Sequence, residues 1–219
     1  MRIDLHTHTI LSDGELLPVE LARRAFVKGH SAIAFTDHVA LSTMERVLKE
    51  AALDIELAET WGLEVLLGVE ITHVPASKID QVVSKARKLG AEIVVVHGET
   101  ISEPVEKGTN LAAVSNPEVD ILAHPGMITE EEAERARTNG VHLEITSRSS
   151  HCRTNGHVAS IARRVGAKMV VNTDAHSPSD LINTATALMV AQGAGLSRKE
   201  AEEAVMVNPA ELVKRRRSR

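Results

Sequence analysis

The sequence predicts an α/β barrel built from seven strand–helix units. Three observations carry that expectation. Short, almost uniformly apolar segments recur along the chain. Each is followed by a polar turn and most by an amphipathic helix. The C-terminal end of nearly every apolar segment carries a histidine or a carboxylate. Uniformly apolar strands suit a parallel sheet buried on both faces, and alternating strands and helices close such a sheet by right-handed crossovers.

The strands read as "RIDLH" (2–6), "AIAFT" (32–36), "EVLLGVE" (64–70), "EIVVVH" (92–97), "DILAH" (120–124), "VHLEIT" (141–146) and "KMVVNTD" (168–174). The helices carry start and stop signals. "LPVELARRAFVKG" ends at Gly29, "DQVVSKARKLG" at Gly90 and "NGHVASIARRVG" at Gly166. "TEEEAERARTNG" opens on Thr129 as N-cap with Glu132 at the capping-box position and stops at Gly140. Seven units fall one short of an eight-fold barrel. "LSRKEAEEAVMVNPAELVKRRR" has no strand and reads as extra helices packed outside the barrel. One domain, residues 1–219, is expected, with a barrel core at 1–180 and C-terminal helices plus a basic tail at 181–219.

Composition narrows the function classes. Hydrophobic residues make up 43% and charged residues 25%. No apolar run approaches the ~20 residues that span a bilayer. "MRIDLHTH" enters a strand directly, without a signal-like start, and Cys152 has no second cysteine to pair with, so a cytoplasmic location is expected. The net charge of −5 and the scarcity of aromatics (Phe26, Phe35, Trp61, all read as core) count against a nucleic-acid partner. The tail of Lys214, Arg215, Arg216, Arg217 and Arg219 counts for one, but reads first as a solvated helix end.

The strand ends hold the chemistry. Strand one gives His6 and His8, with Asp13 in its loop. Strand two gives Asp37 and His38, strand three Glu70, strand four His97 and then Glu99. Strand five gives His124, strand six Glu144, strand seven Asp174 and His176. Imidazoles and carboxylates buried together are costly unless a cation joins them. A site with more than one ion is therefore expected. Mixed nitrogen and oxygen donors favour zinc, manganese or iron over magnesium or calcium.

"DLHTHTILSDG", "TDH", "GVE", "VVHGE", "LAHPG" and "NTDAH" together resemble, in order and spacing, the motifs of the PHP (polymerase and histidinol phosphatase) family. The resemblance implies a distorted (β/α)7 TIM-like barrel holding two to three divalent ions. It implies one ion on His6, His8, Glu70 and Asp174, a second sharing Glu70 with His97 and His124, and a third on Asp13, His38 and His176. The implied activity is metal-dependent phosphoester hydrolysis, with hydroxide generated at the metals attacking phosphorus. His97, Glu70, Asp174 and His176 would carry the reaction. Arg148 and Arg153, in the loop after strand six, are the expected phosphate clamps, with Lys107 a weaker one. Asp37 and Glu144 are expected behind the ligands, Asp4 is expected to orient a ligand imidazole and Glu99 to relay a proton. His151 lies close enough to the rim to touch substrate. His30 is expected to be solvated.

A small phosphorylated metabolite, such as histidinol phosphate or a nucleotide phosphate, is the expected partner. The alternative is a nuclease acting on nucleic-acid ends, or a non-catalytic binding barrel such as the PHP-like subunit of ribonuclease P. The latter would show degraded ligand motifs and a basic surface, and this sequence shows neither. An amidohydrolase would share the HxH start, but "TDAH" and the Asp13/His38 pair favour the PHP resemblance.

Overall fold

The computed structural model describes residues 2–217. The strands are β1 (Arg2–Asp4), β2 (His30–Phe35), β3 (His38–Val39), β4 (Glu64–Ile71), β5 (Ile93–His97), β6 (Ile121–Ala123), β7 (His142–Thr146) and β8 (Met169–Asn172). They form one sheet in the order β1-β2-β4-β5-β6-β7-β8, with the two-residue β3 paired to the upper end of β4; every pairing is parallel. Beyond β8 the sheet returns to β1. Leu5 N donates to Asn172 Oδ1 at 3.0 Å, Asp174 N to His6 O at 2.9 Å and His8 N to Ala175 O at 2.8 Å. Seven strands in a nearly closed parallel barrel, with the two-residue β3 beside them, match the fold expected from the sequence.

Side chains alternate across the wall. On β4, Val65, Val69 and Ile71 face the surrounding helices, whereas Leu66 and Glu70 face the barrel axis. The axis is filled by Ile3, Leu5, Ala32, Leu66, Ile93, Val95, Ile121, Ala123 and Val170. This apolar plug supports the polar rim above it. Outside lie α1 (Pro18–Val27), α2 (Met44–Glu59), α3 (Ile79–Lys88), α4 (Thr109–Ser115), α5 (Glu130–Asn139), α6 (Asn155–Val165) and α7 (Thr184–Gly193). The cap of α5 is the one expected: Thr129 Oγ1 accepts from Glu132 N and the Glu132 carboxylate accepts from Thr129 N, while Gly140 closes the helix at φ 71°.

The C-terminal segment departs from expectation. Helices α8 (Arg198–Glu202) and α9 (Asn208–Arg217) are joined by a π-helical turn at Glu203–Val207. They do not all pack outside: Leu212 and Val213 of α9 join the axial cluster and close the bottom of the barrel. The tail is accordingly docked rather than solvated. Arg216 is buried and bonds Asp120 Oδ1 at 2.5 Å, and Arg215 reaches the same oxygen at 3.2 Å. Arg217 bonds Glu64 at 3.2 Å and also pairs with Glu92. Arg219 lies outside the described residues. Apolar contacts anchor the helix, and carboxylates at the strand starts fix its cations; neither is visible in a run of arginines.

Other expectations also need correction. His30 is buried, with Nδ1 on Ala25 O at 3.0 Å. Phe26 is 38% exposed, beneath the Arg23 guanidinium that also covers Trp61. No helix among the described residues is long and apolar enough to cross a membrane.

Candidate metal centre

The rim is built where strands stop being regular. β1 ends at Asp4, so strict alternation lapses before the histidines. Leu5 stays in the axial core while His6 and His8 both turn to the rim, their Nε2 atoms 3.1 Å apart. Asp4 does not follow them. It accepts from Thr173 N and Oγ1 and pairs with Arg2 at 3.2 Å, which holds its carboxyl down at about 2 against the cost of burial. Asp37 holds the loop after β1 by accepting from Thr9 N, Thr9 Oγ1, Ser12 N and Ser12 Oγ. The motif glycines answer to close approach. A Cβ on Gly14 would stand 2.5 Å from His8 O, and one on Gly126, at φ 58°, 1.9 Å from Glu99 O.

Glu70 and Asp174 occupy the centre. Glu70 Oε2 lies 3.3 Å from His6 Nε2, 3.4 Å from His8 Nε2 and 2.8 Å from His38 Nδ1; its Oε1 lies 3.7 Å from His124 Nε2. Asp174 lies 3.1 Å from His8 Nε2, 3.6 Å from His6 Nε2 and 3.7 Å from His124 Nε2. His38, His176 and Asp13 form the edge, with Asp13 at 3.6 Å from His38 Nε2 and 3.3 Å from His176 Nε2. The donor atoms fall into overlapping groups within 4.8 Å of one another: His6, His8 and Glu70; His6, His124 and Asp174; His8, Asp13, His38 and His176; His97, His124 and His151; and His73, His97 and Glu103. All nine sequence-predicted ligands thus come together. His97 joins the cluster beside His124, and its ion pair runs to Glu103, at 3.3 Å.

The residues fit a metal by two tests. First, second partners fix the tautomers. His6 Nδ1 donates to Glu144 Oε1 at 2.8 Å, His97 Nδ1 to Gly98 O at 3.2 Å and His176 Nδ1 to Asp174 O at 2.9 Å. His38 Nδ1 donates to Thr72 Oγ1 at 2.7 Å, that hydroxyl giving its own proton to Glu70 O. Each bond turns Nε2 toward the rim, the orientation a metal-ligating imidazole requires. Second, both Glu70 oxygens, His8 Nδ1 and His124 Nδ1 are buried without a hydrogen-bond partner. The short approach of His38 to Glu70 does not change this, because its proton is turned to Thr72. A fully buried carboxylate surrounded only by imidazoles is the arrangement a cation relieves.

Proton equilibria report the same demand. Burial opposes charge on His6, yet Glu144, Glu70 and Asp174 hold it well above the ordinary histidine value. Burial likewise opposes charge on His38, but Glu70 and Asp13 raise it to about 9. Burial and neighbouring imidazoles push His8 and His124 well below. Burial pushes the Asp174 carboxyl up. The pocket calls for positive charge but spreads protons unevenly.

Glu144 lies behind the ligands as expected. Its oxygens accept from His6 Nδ1, Asn172 Nδ2 and His124 N. Arg148 reaches the rim, 3.5 Å from Asp174 O and 3.4 Å from Asp180. Arg153 does not: it is exposed over a separate hollow lined by Val190 and Ala194, because the turn after β7 carries it past the strand end. Lys107 is likewise exposed, beside Met127. Glu99 relays nothing; it accepts from Gly108 N and Asn110 N and fixes the start of α4. His142 lies at the barrel bottom, beside Arg215 and Lys168. Sequence reasoning missed Glu103 and His73 and gave His151 only a passing role. The signal for Glu103 was its position in the long loop after His97.

A parallel βα barrel with a histidine–carboxylate rim at the strand C-termini defines a class of metal-site barrel. Within that class, the RNase P subunit p30 family model matches residues 1–219, and the chain belongs to this family. It is 51% identical over 217 residues to an uncharacterized protein of Methanocaldococcus jannaschii, covering 98% of this chain and all of that one. It is 32% identical over 192 residues to a probable phosphatase of Caldanaerobacter subterraneus subsp. tengcongensis, covering 80% and 76%. It is 28% identical over 232 residues to ribonuclease P protein component 3 of Methanosarcina barkeri, covering 98% and 89%. A chain in the cryo-EM structure of archaeal ribonuclease P with mature tRNA has the same fold, with TM-score 0.76, 17% identity and coverage of 99% and 92%. The expectation of a small phosphorylated partner, with nucleic acid set aside, is thereby corrected. The family and its relatives point to RNA and protein partners. Acidic net charge and few aromatics do not exclude an RNA partner, because backbone contacts need only local cations, not a basic chain.

Proposed function

We propose that this chain is a p30-type protein subunit of an RNA-processing assembly, with RNA as its partner. The full-length family match carries this reading. The barrel places its loops around one rim, the face from which such a subunit would meet an RNA backbone.

A second reading adds catalysis at that rim: hydrolysis of a phosphate ester in RNA, favoured by the buried and unpartnered Glu70. His6, His8, Asp13, His38, Glu70, His97, His124, Asp174 and His176 would hold divalent transition ions, of the zinc, manganese or iron class. When bound, these would supply Lewis acidity and a nucleophile of lowered pKa. Glu144 keeps the proton of His6 on Nδ1, away from the site. Arg148, 28% exposed at the edge, is positioned to bind a phosphate oxygen.

The test is binding of a folded tRNA and of 5′- and 3′-phosphorylated RNA oligonucleotides across a salt series, with manganese or zinc present, followed by measurement of released phosphate and nucleotides. Salt-dependent binding supports the first reading. Metal-dependent hydrolysis that is lost in Asp174→Asn supports the second as well. Failure to bind any RNA would overturn the first, and binding without turnover would overturn the second.

A further inference from the structure

A hollow of about 200 Å³ opens at the bottom of the barrel, away from the metal rim, where α5 and α6 end beside α9. Arg137 of α5, Lys168 just before β8 and Arg215 of α9 line it, together with His142 at the start of β7. Among the described residues no carboxylate lines it. Gly140 and Gly166 form part of its wall. A Cβ on Gly140 would stand 3.1 Å from Arg215 Nη1, so the missing side chain lets the guanidinium approach closely.

His142 is the residue that asks for a ligand. It is 4% exposed, and neither ring nitrogen has a hydrogen-bond partner. Buried polar groups are satisfied as a rule, so a buried imidazole with two unpartnered nitrogens, lining a hollow, marks a place for a further group. Charge selects which group. Asp120 serves Arg87, Arg215 and Arg216 at once, and Glu118 lies 3.6 Å from both Arg87 and Arg216. Two carboxylates thus face three guanidiniums. Lys168 is paired with Glu211, but Arg137 has no ion-pair partner among the described residues. The hollow therefore carries a surplus of positive charge. Burial, then Arg215 and Lys168, disfavour charge on His142 itself, with Asp120 opposing them; its neutral ring offers one N–H and one lone pair.

We propose that this hollow binds a phosphate group, held by the charges of Arg137, Lys168 and Arg215 and by the ring N–H of His142. A phosphate presents oxygens in several directions, which suits cations arriving from three separate elements; a carboxylate presents two in one plane. The same cations repel a metal ion. The phosphodiester backbone of an RNA is one source of the group, and a free or small-molecule phosphate is the other. The backbone source rests on the RNA reading above; phosphate binding itself does not. The bottom of the barrel is then a second contact surface, opposite the rim, and Arg215 of the basic tail belongs to it.

The test is an NMR titration of zinc-loaded protein with inorganic phosphate at neutral pH, following the ring Cε1 proton of His142, assigned by its loss in His142→Gln. That resonance should shift saturably, with a dissociation constant of about 1 mM or below. Arg137→Ala and Lys168→Ala change exposed side chains, and a thermal melt checks that both fold. Each should weaken phosphate binding at His142 by about tenfold. A single-stranded RNA without terminal phosphates then separates the sources. If it moves the same resonance and competes with phosphate, the backbone is the source. If phosphate moves His142 and RNA does not compete, the phosphate site stands and RNA as its source is overturned, whatever RNA does at the rim. If phosphate at about ten times that concentration leaves His142 unmoved, or moves it equally in the wild type and both variants, the site does not exist.

Discussion

The two ends of this barrel bury charge in opposite ways. At the bottom, Asp120 is fully buried and saturated. Arg87 bonds its Oδ2 at 2.6 Å, Arg216 its Oδ1 at 2.5 Å, Arg215 reaches Oδ1 at 3.2 Å, and Val94 N donates to Oδ2 at 2.9 Å. At the top, Glu70 is equally buried, yet its ion pairs are all with histidines and neither oxygen is hydrogen-bonded. A buried carboxylate with its guanidinium partners in place is architecture: it pins α9 beneath the barrel. A buried carboxylate surrounded by imidazoles alone is a place prepared for an ion that is not part of the polypeptide.

The largest effect that sharpens this contrast is at the bottom. Asp120→Ala leaves the buried Arg216 and the half-buried Arg87 without their counter-charge, and should cost about 3–5 kcal/mol, read as a lower denaturation midpoint in urea. A loss below about 1 kcal/mol would break the comparison, since the bottom cluster would then not be structural.

Next comes pH. His142 is buried near Arg215 and Lys168, with Asp120 opposing them; burial first, then these cations, hold it down at about 4. The folded value is below the unfolded one, so the unfolded chain binds more protons between the two. Stability is therefore lost as pH falls from about 6.5 to about 4, by about 3 kcal/mol from this residue, and the loss levels off below. The difference in unfolding free energy between wild type and His142→Asn, followed across that window, should show this slope; a flat difference would refute it. The smallest effect is local to α5: Thr129→Ala should remove about 1 kcal/mol through the lost cap, without altering metal content.

The top of the barrel was far more readable in the sequence than the bottom. His6, His8, Glu70, His97, His124, Asp174 and His176 each end an apolar run or follow one closely, and the parallel topology brings such ends to one rim. The chain's alternation therefore located them without knowledge of any contact. The bottom depends on partners far apart in sequence: nothing in "KRRRSR" signals that Asp120 and Glu64 await it. The same limit explains the loop residues. Arg148 and Arg153 look alike in sequence, but a short 3-10 turn at Cys152–Thr154 decides that only the first meets the rim. Glu103 and His73 stood outside every motif, because loops that converge in space leave no period in sequence. The partner was misjudged for a related reason: whole-chain charge and aromatic content say little about a local surface.

The most direct test of the central contrast is elemental analysis of protein purified without chelator, beside Asp174→Asn and Glu70→Gln. The account predicts more than one equivalent of transition metal in the wild type, a marked loss in both variants, and a thermal midpoint that falls when chelator is added to the wild type alone. Wild-type protein that carries no transition metal, takes none up on addition and melts at the same temperature with or without chelator would contradict it.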